Sequence, residues 1–391
     1  MIYSDFFTKI LENIKKEGIY REFTNISRIC GNFPKALNNQ NGQEIINWCS
    51  NDYLSLGQNP ITIEKINKCL KKSGIGSGGT RNISGTSNEI IRLEQELSHL
   101  HNKKSALIFT SGYIANESSI TALAKIIPNL VIFSDEQNHA SIISGIKNSG
   151  LKKHIFRHND IDHLEKLLQN YDINHPKLII FESIYSMSGD IGKIPEICQL
   201  SEKYHAMTML DEVHAVGIYG KNGAGKANQL KLDHKIDIIQ GTLAKGFGVI
   251  GGYIASENDV IDAIRSIASP FIFTTAIPPI IAEAAISNIN IIRNNPNFIT
   301  HFHNNVEKTK NILQQYDIKI NSQSHILPLV IGNAEKTKRI SKLLLEEYNI
   351  YLQNISYPTV PKGQDILRIV PNRLHDEKMI YHLAKSLQKT L

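Results

Sequence analysis

The sequence of 391 residues predicts an α/β fold in which a mainly parallel, seven-stranded sheet is flanked by helices. Short runs rich in branched apolar residues alternate with stretches of helical periodicity. Several of these runs are continuously apolar, which is typical of parallel strands covered on both faces. The predicted strands are 106–109, 130–134, 154–157, 178–182, 208–210, 236–240 and 251–255.

The segments on either side of this alternation differ in texture. Residues 1–50 read as an N-terminal helix and a short hairpin, and residues 51–285 as the large α/β domain. Residues 286–391 read as a smaller α+β domain, because a helical stretch is followed by a run at 326–331, a helix at 335–348 and runs at 350–353 and 367–370.

Composition narrows the class of protein. A net charge of +6 could indicate nucleic acid, but the lysines are scattered and form no basic block, so we expect no nucleic acid and a surface that favours anionic small molecules. Four cysteines without ligand spacing indicate neither a metal site nor a disulfide framework. No signal peptide and no apolar run of membrane-spanning length is visible, so we expect a cytoplasmic protein that does not bind membranes.

Two glycine motifs are misleading. Residues 74–79 match GxGxxG, but a helical pattern precedes them where a dinucleotide fold needs its first strand. Residues 220–226 match GxxxxGK, yet Ala227 stands where a P-loop needs serine or threonine. The first motif favours close approach of backbone to a ligand, and the second a surface turn.

A better phosphate site lies at Ser111, Gly112 and Tyr113. A predicted strand ends at Phe109 and a helical pattern begins near Ile114. The N-terminus of such a helix offers free N–H groups and a positive dipole end to a phosphate, although an ordinary serine cap also explains the sequence.

Lys245, Asp211, His214, His139 and Thr242 follow predicted strands, where ligands of such sheets collect. Each alone has a structural explanation, as a helix cap, a core histidine or a solvated lysine. Together they suit pyridoxal 5'-phosphate: a lysine for its aldehyde, an aspartate for its ring nitrogen, and a threonine hydroxyl for its phosphate. His139 can stack on the ring, and His214 can reach its phenolic oxygen.

The chain resembles the α-oxoamine synthases from about Tyr20 to its C-terminus. The segments that carry the resemblance are YREF at 20–23, WCSNDYL at 48–54, GGTRNISGT at 78–86, SDEQNHAS at 134–141, FRHND at 156–160, ESIYSM at 182–187, DEVH at 211–214, FIFTT at 271–275 and YPTVP at 357–361. This resemblance implies the type I fold of pyridoxal phosphate enzymes and the condensation of an amino acid with an acyl-CoA with loss of carbon dioxide.

Within the family, TRN at 80–82, Arg21 and DEVH resemble the 5-aminolevulinate-forming branch, which uses glycine and succinyl-CoA in the first step of haem and tetrapyrrole synthesis. Ala244 stands where that branch often has glycine, and it keeps the position before Lys245 small. Lys245, His139 and Asp211 are the residues that the resemblance makes catalytic, with Lys245 as the general base toward glycine.

The resemblance also assigns the remaining site residues. Ser186 contacts the cofactor ring, while Thr274 and Thr275 reach the phosphate of the partner subunit, which implies a homodimer with active sites at its interface. Arg368 binds the α-carboxylate of the substrate, and Arg21 with Thr359 binds the succinyl carboxylate. The other matches to substrate-binding or acyl-CoA positions are Asn51, Thr80, Asn82, Ser134 and Lys153.

Three alternatives stay open. A sister enzyme would use acetyl- or pimeloyl-CoA, and Arg21 argues against it because only a short dicarboxylic acyl group needs a cation there. A non-catalytic partner subunit would lack the cofactor lysine. An aminotransferase would bind the same cofactor and work without CoA.

Overall fold

The fold is described from a computed structural model for residues 3–391; Met1 and Ile2, at the start of the predicted N-terminal helix, lie outside the described residues. The strands are β1 (Ile26–Arg28), β2 (Lys35–Asn38), β3 (Glu44–Asn47), β4 (Ser105–Phe109), β5 (Val131–Asp135), β6 (Lys153–Phe156), β7 (Lys177–Glu182), β8 (Met207–Asp211), β9 (Ile238–Thr242), β10 (Gly252–Ser256), β11 (Leu327–Val330), β12 (Ile350–Tyr351), β13 (Asn354–Ile355) and β14 (Ile366–Ile369). The helices are α1 (Ser4–Lys16), α2 (Pro60–Ser73), α3 (Asn88–Leu100), α4 (Gly112–Ile126), α5 (Ala140–Ser149), α6 (Ile161–Leu168), α7 (Ile194–Tyr204), α8 (Lys226–Gln229), α9 (Asn258–Ile267), α10 (Ser269–Ile272), α11 (Pro279–Asn294), α12 (Asn297–Gln315), α13 (Ala334–Tyr348) and α14 (Glu377–Thr390).

The chain divides into two compact units. The larger contains residues 51–186 and 190–301, and the smaller contains residues up to 50, residues 187–189 and residues 302–391. This division differs from the three predicted segments, since the N-terminal residues cluster with the C-terminal ones and the second boundary lies at 301/302 instead of 285/286. The reason is α11, which packs against α2 and α3 of the larger unit.

The larger unit holds the seven predicted strands in one sheet, in the order β4-β10-β9-β8-β7-β5-β6. All neighbours are parallel except β10, which runs antiparallel to both β4 and β9. The mainly parallel, seven-stranded sheet predicted from the sequence is confirmed.

Helices cover both faces of this sheet, as the continuously apolar strands require. Along β7, Leu178 and Ile180 face the core beneath α4, α5 and α9, whereas Ile179 and Phe181 face the core beneath α6 and α7. The alternation has the period of two expected for a strand. Burial on both faces fixes the strand register, and with it the residues that emerge at the strand ends.

The smaller unit has two sheets of its own. One has the order β1-β2-β3-β12 and joins the N-terminal hairpin to a strand from the C-terminal part of the chain. The other has the order β11-β14-β13 and carries Arg368 in its central strand, opposite Pro328 of β11. Among residues 3–391, no helix is both long enough and apolar enough to cross a bilayer.

Candidate active site

Chemically active side chains meet at the carboxyl edge of the large sheet. Asp211 ends β8 and pairs in register with Glu182, the last residue of the neighbouring β7. Thr242 ends β9, on the other side of β8, and Asp135 ends β5. Because parallel strands end at the same edge, the sheet itself brings the predicted residues Asp211 and Thr242 together with Glu182 and Asp135.

Lys245 reaches this edge from the loop after β9. Its Nζ lies 2.7 Å from Nε2 of His214, and Nδ1 of the same histidine lies 2.7 Å from the hydroxyl of Tyr53. His214 and Tyr53 are buried, while Lys245 is half-buried. Lysine amine, imidazole and phenol therefore form one hydrogen-bonded row along the edge of the sheet.

The loop that carries Lys245 is fixed from outside by α11. Asn288 is fully buried on that helix, and its Nδ2 donates to the carbonyl oxygens of Phe247 at 2.7 Å and of Leu56 at 3.4 Å. The side-chain oxygen of Asn288, Oδ1, accepts in turn from the hydroxyl of Thr62 at 2.5 Å. These bonds tie the lysine loop to a second loop far away in sequence.

Asp211 is a buried carboxyl group with two donors. Oδ2 accepts from Nδ2 of Asn116 at 2.8 Å, and Oδ1 accepts from the backbone N–H of Val213 at 2.8 Å. Burial raises the pKa of Asp211, and these two hydrogen bonds, with the charges of His139 and Lys245, oppose the rise. A cation brought against this carboxylate would favour its ionised form.

His139 opens α5 as its N-cap. Its Nδ1 accepts from the backbone N–H of Ser141 at 3.2 Å and lies 2.8 Å from the hydroxyl of that residue. Its own backbone N–H donates to Oε1 of Glu182 at 2.5 Å. Desolvation by the surrounding protein lowers the pKa of His139; Asp211 opposes this effect and Lys245 adds to it, so the imidazole is held neutral at neutral pH.

The predicted phosphate site lies at the N-terminus of α4. Ser111 is the N-cap, and its side chain accepts from the N–H of Ile114, whereas Gly112 and Tyr113 head the first turn. A Cβ atom on Gly252 would lie 2.4 Å from the backbone nitrogen of Gly112, so only glycine lets β10 pass this close to the helix. The N–H groups of that first turn have no partner within a helix and suit an anion.

Thr242 lies next to this helix end. A Cβ atom on Gly112 would be 3.6 Å from its Oγ1. The Thr242 hydroxyl is buried and donates to the carbonyl of Gly251 at 2.9 Å. It would have to rotate away from that carbonyl to donate to a phosphate.

Thr80 and Asn82 share a loop that meets the loop of Thr274 and Thr275. Thr80 bridges to Thr275 in antiparallel fashion, and its hydroxyl donates to Oδ1 of Asn82 at 2.6 Å. Between them, Arg81 forms a bidentate ion pair with Glu94, with N–O distances of 2.7 and 3.0 Å. Two predicted contact regions of the larger unit are thereby joined. Asn51 and Ser186 lie in the same unit and are half-buried.

In the smaller unit, Arg21 and Thr359 are paired although they lie far apart in sequence. Nη2 of Arg21 donates to Oγ1 of Thr359 at 3.2 Å, and both residues are exposed. Arg368 is buried in the same unit. Burial of the Cys49 thiol raises its pKa to about 11, and the positive charge of Arg368 opposes this larger effect. The hydrogen bond places Arg21 and Thr359 side by side, and their role toward a succinyl carboxylate stays a prediction.

A hairpin after β7 carries Ser186 and is braced by His158. Nδ1 of His158 lies 2.9 Å from Asp135, Nε2 lies 3.2 Å from Asp190, and Tyr185 packs edge-on against the ring at 4.3 Å. Burial opposes a charge on His158, but the two carboxylates outweigh it and raise the pKa of the imidazole. The two aspartates thus favour the protonated form of the His158 imidazole.

We expect this brace to give a pH-dependent stability. Because the pKa of His158 is higher in the folded than in the unfolded chain, its contribution is full below about pH 6.5, the usual histidine value, and is lost as the pH rises through the folded-state pKa. Urea unfolding of wild type and His158→Gln should differ most at acidic pH and converge at alkaline pH. His99→Gln, at an exposed helical position, is the control. A difference that grows toward alkaline pH would contradict the bridge.

Comparison with known proteins gives the family. The aminotransferase class I and II profile matches residues 43–387. A 5-aminolevulinate synthase from Rickettsia prowazekii is 49% identical over 387 residues, which cover 98% of this chain and 93% of the relative. The enzyme of that name from Bradyrhizobium diazoefficiens is 47% identical, with coverage of 99% and 95%.

The chain belongs to the 5-aminolevulinate synthase family.

Solved structures agree with this family. Serine palmitoyltransferase from S. paucimobilis, solved with bound PLP and myriocin, superposes with a TM-score of 0.90 at 25% identity, and the match covers 100% of this chain and 98% of that one. An 8-amino-7-oxononanoate synthase from Francisella tularensis gives a TM-score of 0.75 at 26% identity, with coverage of 88% and 97%. The predicted type I fold is confirmed.

Ser134 and Lys153, which the resemblance matches to substrate or acyl-CoA contacts, both lie in the strands next to this edge. Lys153 is the first residue of β6 and pairs with Ile132, so it lies toward the amino end of the strand, away from the catalytic edge. Ser134 is only 1% exposed, and its hydroxyl accepts from Nδ2 of Asn138 at 2.8 Å. The roles of Ser134 and Lys153 toward the substrate or acyl-CoA stay predictions.

The fold places three further residues in the site that the sequence does not predict there. Asn116 and Ser141 contact Asp211 and His139 from α4 and α5, and Glu182 lies beside both. Glu182 is both the last residue of the predicted strand 178–182 and the first residue of the ESIYSM segment, so its sequence position already indicates a strand end. Asn116 lies inside a helix pattern, and nothing in its local sequence marks it.

Proposed function

We propose that this chain is a pyridoxal 5'-phosphate-dependent acyltransferase that condenses glycine with succinyl-CoA to give 5-aminolevulinate, CoA and carbon dioxide, the first step of tetrapyrrole synthesis. The observation that carries the proposal is the meeting of Lys245, His214 and Asp211 at one sheet edge. It occurs in a chain that is 49% identical over nearly its whole length to a 5-aminolevulinate synthase.

The residues present fit this cofactor. Asp211 is a buried carboxyl group whose pKa burial raises, so a protonated ring nitrogen supplies the countercharge that it needs. The first turn of α4, from Gly112 onward, offers N–H groups to the phosphate, and Gly252 leaves the room for this close packing. Lys245 carries a primary amine at the same edge for the aldehyde.

Bound there, pyridoxal phosphate supplies an electron sink for the negative charge that forms at the α-carbon of glycine. Asp211 keeps the ring nitrogen protonated, and neutral His139 offers a flat face for stacking. Lys245, oriented by its hydrogen bond to His214, is the base that removes the α-proton. Ser186, Thr274 and Thr275 complete the cofactor-binding set that we propose.

Cationic and polar side chains are proposed to select the substrates. The planar guanidinium of Arg368 suits bidentate binding of the glycine carboxylate. Arg21, held by Thr359, is proposed to bind the distal carboxylate of the succinyl group. Asn51, Thr80 and Asn82 supply the hydrogen-bonding side chains of the pocket.

We further propose a cytoplasmic homodimer with active sites at the subunit interface. Support comes from the loop that follows Phe271. In it the side chain of Phe273, which directly precedes Thr274, is 79% exposed. Ile83, on the loop joined to it, is 81% exposed. Large apolar side chains exposed in this way are typical of a protein interface. The four cysteines are all free, which suits a reducing compartment.

Arg21→Leu is expected to raise the KM for succinyl-CoA by about 10- to 100-fold, since a hydrogen bond to a charged group contributes about 1.5–3 kcal/mol. The KM for glycine should change little. Steady-state kinetics with each substrate varied in turn measures both values, and Arg28→Leu, at an exposed position of β1, is the matched control. Equal effects on both substrates would contradict the assignment.

One assay separates the rival functions. Purified protein is given glycine with succinyl-, acetyl- or pimeloyl-CoA, while CoA release and product identity are followed. We expect release with succinyl-CoA and formation of 5-aminolevulinate. Preference for another acyl-CoA would indicate a sister synthase, and amino transfer to an oxo acid without CoA an aminotransferase. Colourless protein that stays colourless after pyridoxal phosphate is added would defeat the enzyme proposal.

A further inference from the structure

Asn116 occupies an unusual place for an amide side chain. It lies in the second turn of α4, is 1% exposed and faces the carboxyl edge of the sheet. Within residues 3–391, its Oδ1 is a buried acceptor without a hydrogen-bond partner. A buried unsatisfied oxygen destabilises a fold, and an apolar side chain of similar volume would avoid it. The hydrogen bonds that its NH₂ group donates therefore explain why an amide occupies this position instead of an apolar side chain.

Both protons of that NH₂ group are used. Nδ2 donates to Oδ2 of Asp211 at 2.8 Å and to the hydroxyl of Ser141 at 3.0 Å. A carboxylate is an acceptor only, so the nitrogen of the amide, and not its oxygen, faces Asp211. Since Asn116 donates to the serine oxygen, the serine hydroxyl keeps its own proton free to donate onward.

The onward acceptor is His139. The Ser141 hydroxyl lies 2.8 Å from Nδ1 of His139, and the backbone N–H of the same serine donates to that nitrogen at 3.2 Å. A ring nitrogen that accepts from a backbone N–H carries no proton, so neutral His139 carries its proton on Nε2. The direction of every bond in the row is thus determined from Asp211 to His139.

We propose that Asn116 and Ser141 are positioning residues that join Asp211 to His139 in one directed row of hydrogen bonds, fixing the carboxylate that faces the cofactor ring and the Nε2–H tautomer of the histidine that stacks on it. The inference rests on the proposed function in one respect, the roles of Asp211 and His139 toward pyridoxal phosphate. The titratable groups that face the row are Asp211, Glu182 and Lys245, together with Tyr113, whose ring packs edge-on against His139 at 6.3 Å.

Two variants separate the two ends of the row. Ser141→Ala removes the hydroxyl that donates to His139 and leaves the bond from Asn116 to Asp211. Asn116→Leu removes both donors to the row at nearly constant volume. Ser119→Ala is the control, because Ser119 is a buried serine of α4, the helix that carries Asn116. In the contacts described, its hydroxyl donates only to the backbone carbonyl of Ala115.

The readouts are the dissociation constant for pyridoxal phosphate from titration of the apoprotein, the absorption spectrum of the bound cofactor, and the pH profile of kcat/KM. Circular dichroism establishes that each variant is folded. For Asn116→Leu we expect a dissociation constant about 10-fold higher, with an altered spectrum, because Asp211 loses a charge-assisted hydrogen bond.

For Ser141→Ala we expect a dissociation constant within about 2-fold of wild type, and an acid limb of the pH profile shifted upward by about one unit, because the donor that favours neutral His139 is gone. Ser119→Ala should match wild type in every readout. If Asn116→Leu fails to fold, the shift in Ser141→Ala still decides the histidine end.

Wild-type protein that binds no pyridoxal phosphate would overturn the proposed function and this inference with it. Wild-type protein that binds the cofactor, with both variants indistinguishable from Ser119→Ala, would overturn the inference alone. If Asn116→Leu binds pyridoxal phosphate weakly while the pH profile of Ser141→Ala is unshifted, the row does not connect Asp211 to His139.

Discussion

Replacing Lys245 with alanine is expected to lower kcat by about 10⁴-fold, at the upper end of what a positioned general base contributes. The loss is large because one amine serves two purposes, attachment of the cofactor and removal of the α-proton. Lys203→Ala, which deletes an exposed lysine paired with Glu165 at 2.6 Å, should leave kcat unchanged. Rapid-quench measurement of product formation checks both variants.

A small primary amine in the assay sharpens this test. If Lys245 acts as the base, added methylamine should restore part of the rate in Lys245→Ala and none in wild type. Activity of the unrescued variant within 10-fold of wild type would show that another group removes the proton.

Replacing Asp211 with asparagine is expected to lower kcat by about 10³-fold. A carboxylate against the ring nitrogen favours its protonation by about three pK units, and the asparagine amide provides no such charge. The variant keeps the shape of the side chain, so the loss reports charge. The effect should be visible as a changed spectrum of the bound cofactor as well as in kcat.

Asp233→Asn is the matched control for Asp211→Asn, because Asp233 is also a buried carboxyl group and lies in the 3₁₀ turn before β9 instead of at the strand ends. It should retain wild-type kcat. A full rate in Asp211→Asn would mean that the ring nitrogen needs no anion in this protein.

The fold was predictable where the signal was local. All seven strands of the large sheet follow from short apolar runs, since burial on both faces leaves a pattern within each strand. The antiparallel direction of β10 was not inferred, although the connection 243–251 is shorter than the dozen or so residues that a parallel crossover needs. The length of the connection therefore indicates the antiparallel direction by itself.

The site was predictable only in part, for a related reason. Lys245, Asp211 and His139 follow strands directly, so sequence order places them at one edge. Asn116 reaches the same edge from within a helix, and only the packing of α4 on the sheet reveals it. Lys153 begins β6 and pairs with Ile132 of β5, and its role toward acyl-CoA stays a prediction.

The hydrogen bonds of Asn288 have a consequence for the synthesis of the protein. Its amide holds the carbonyls of Phe247 and Leu56, so the loop of Lys245 depends on a helix encoded some way downstream. On the ribosome, the large sheet can begin to assemble earlier, but the lysine loop cannot acquire its final bonds until residue 288 has been translated. A nascent chain arrested before that point would have every strand of the large sheet and still lack a finished catalytic loop.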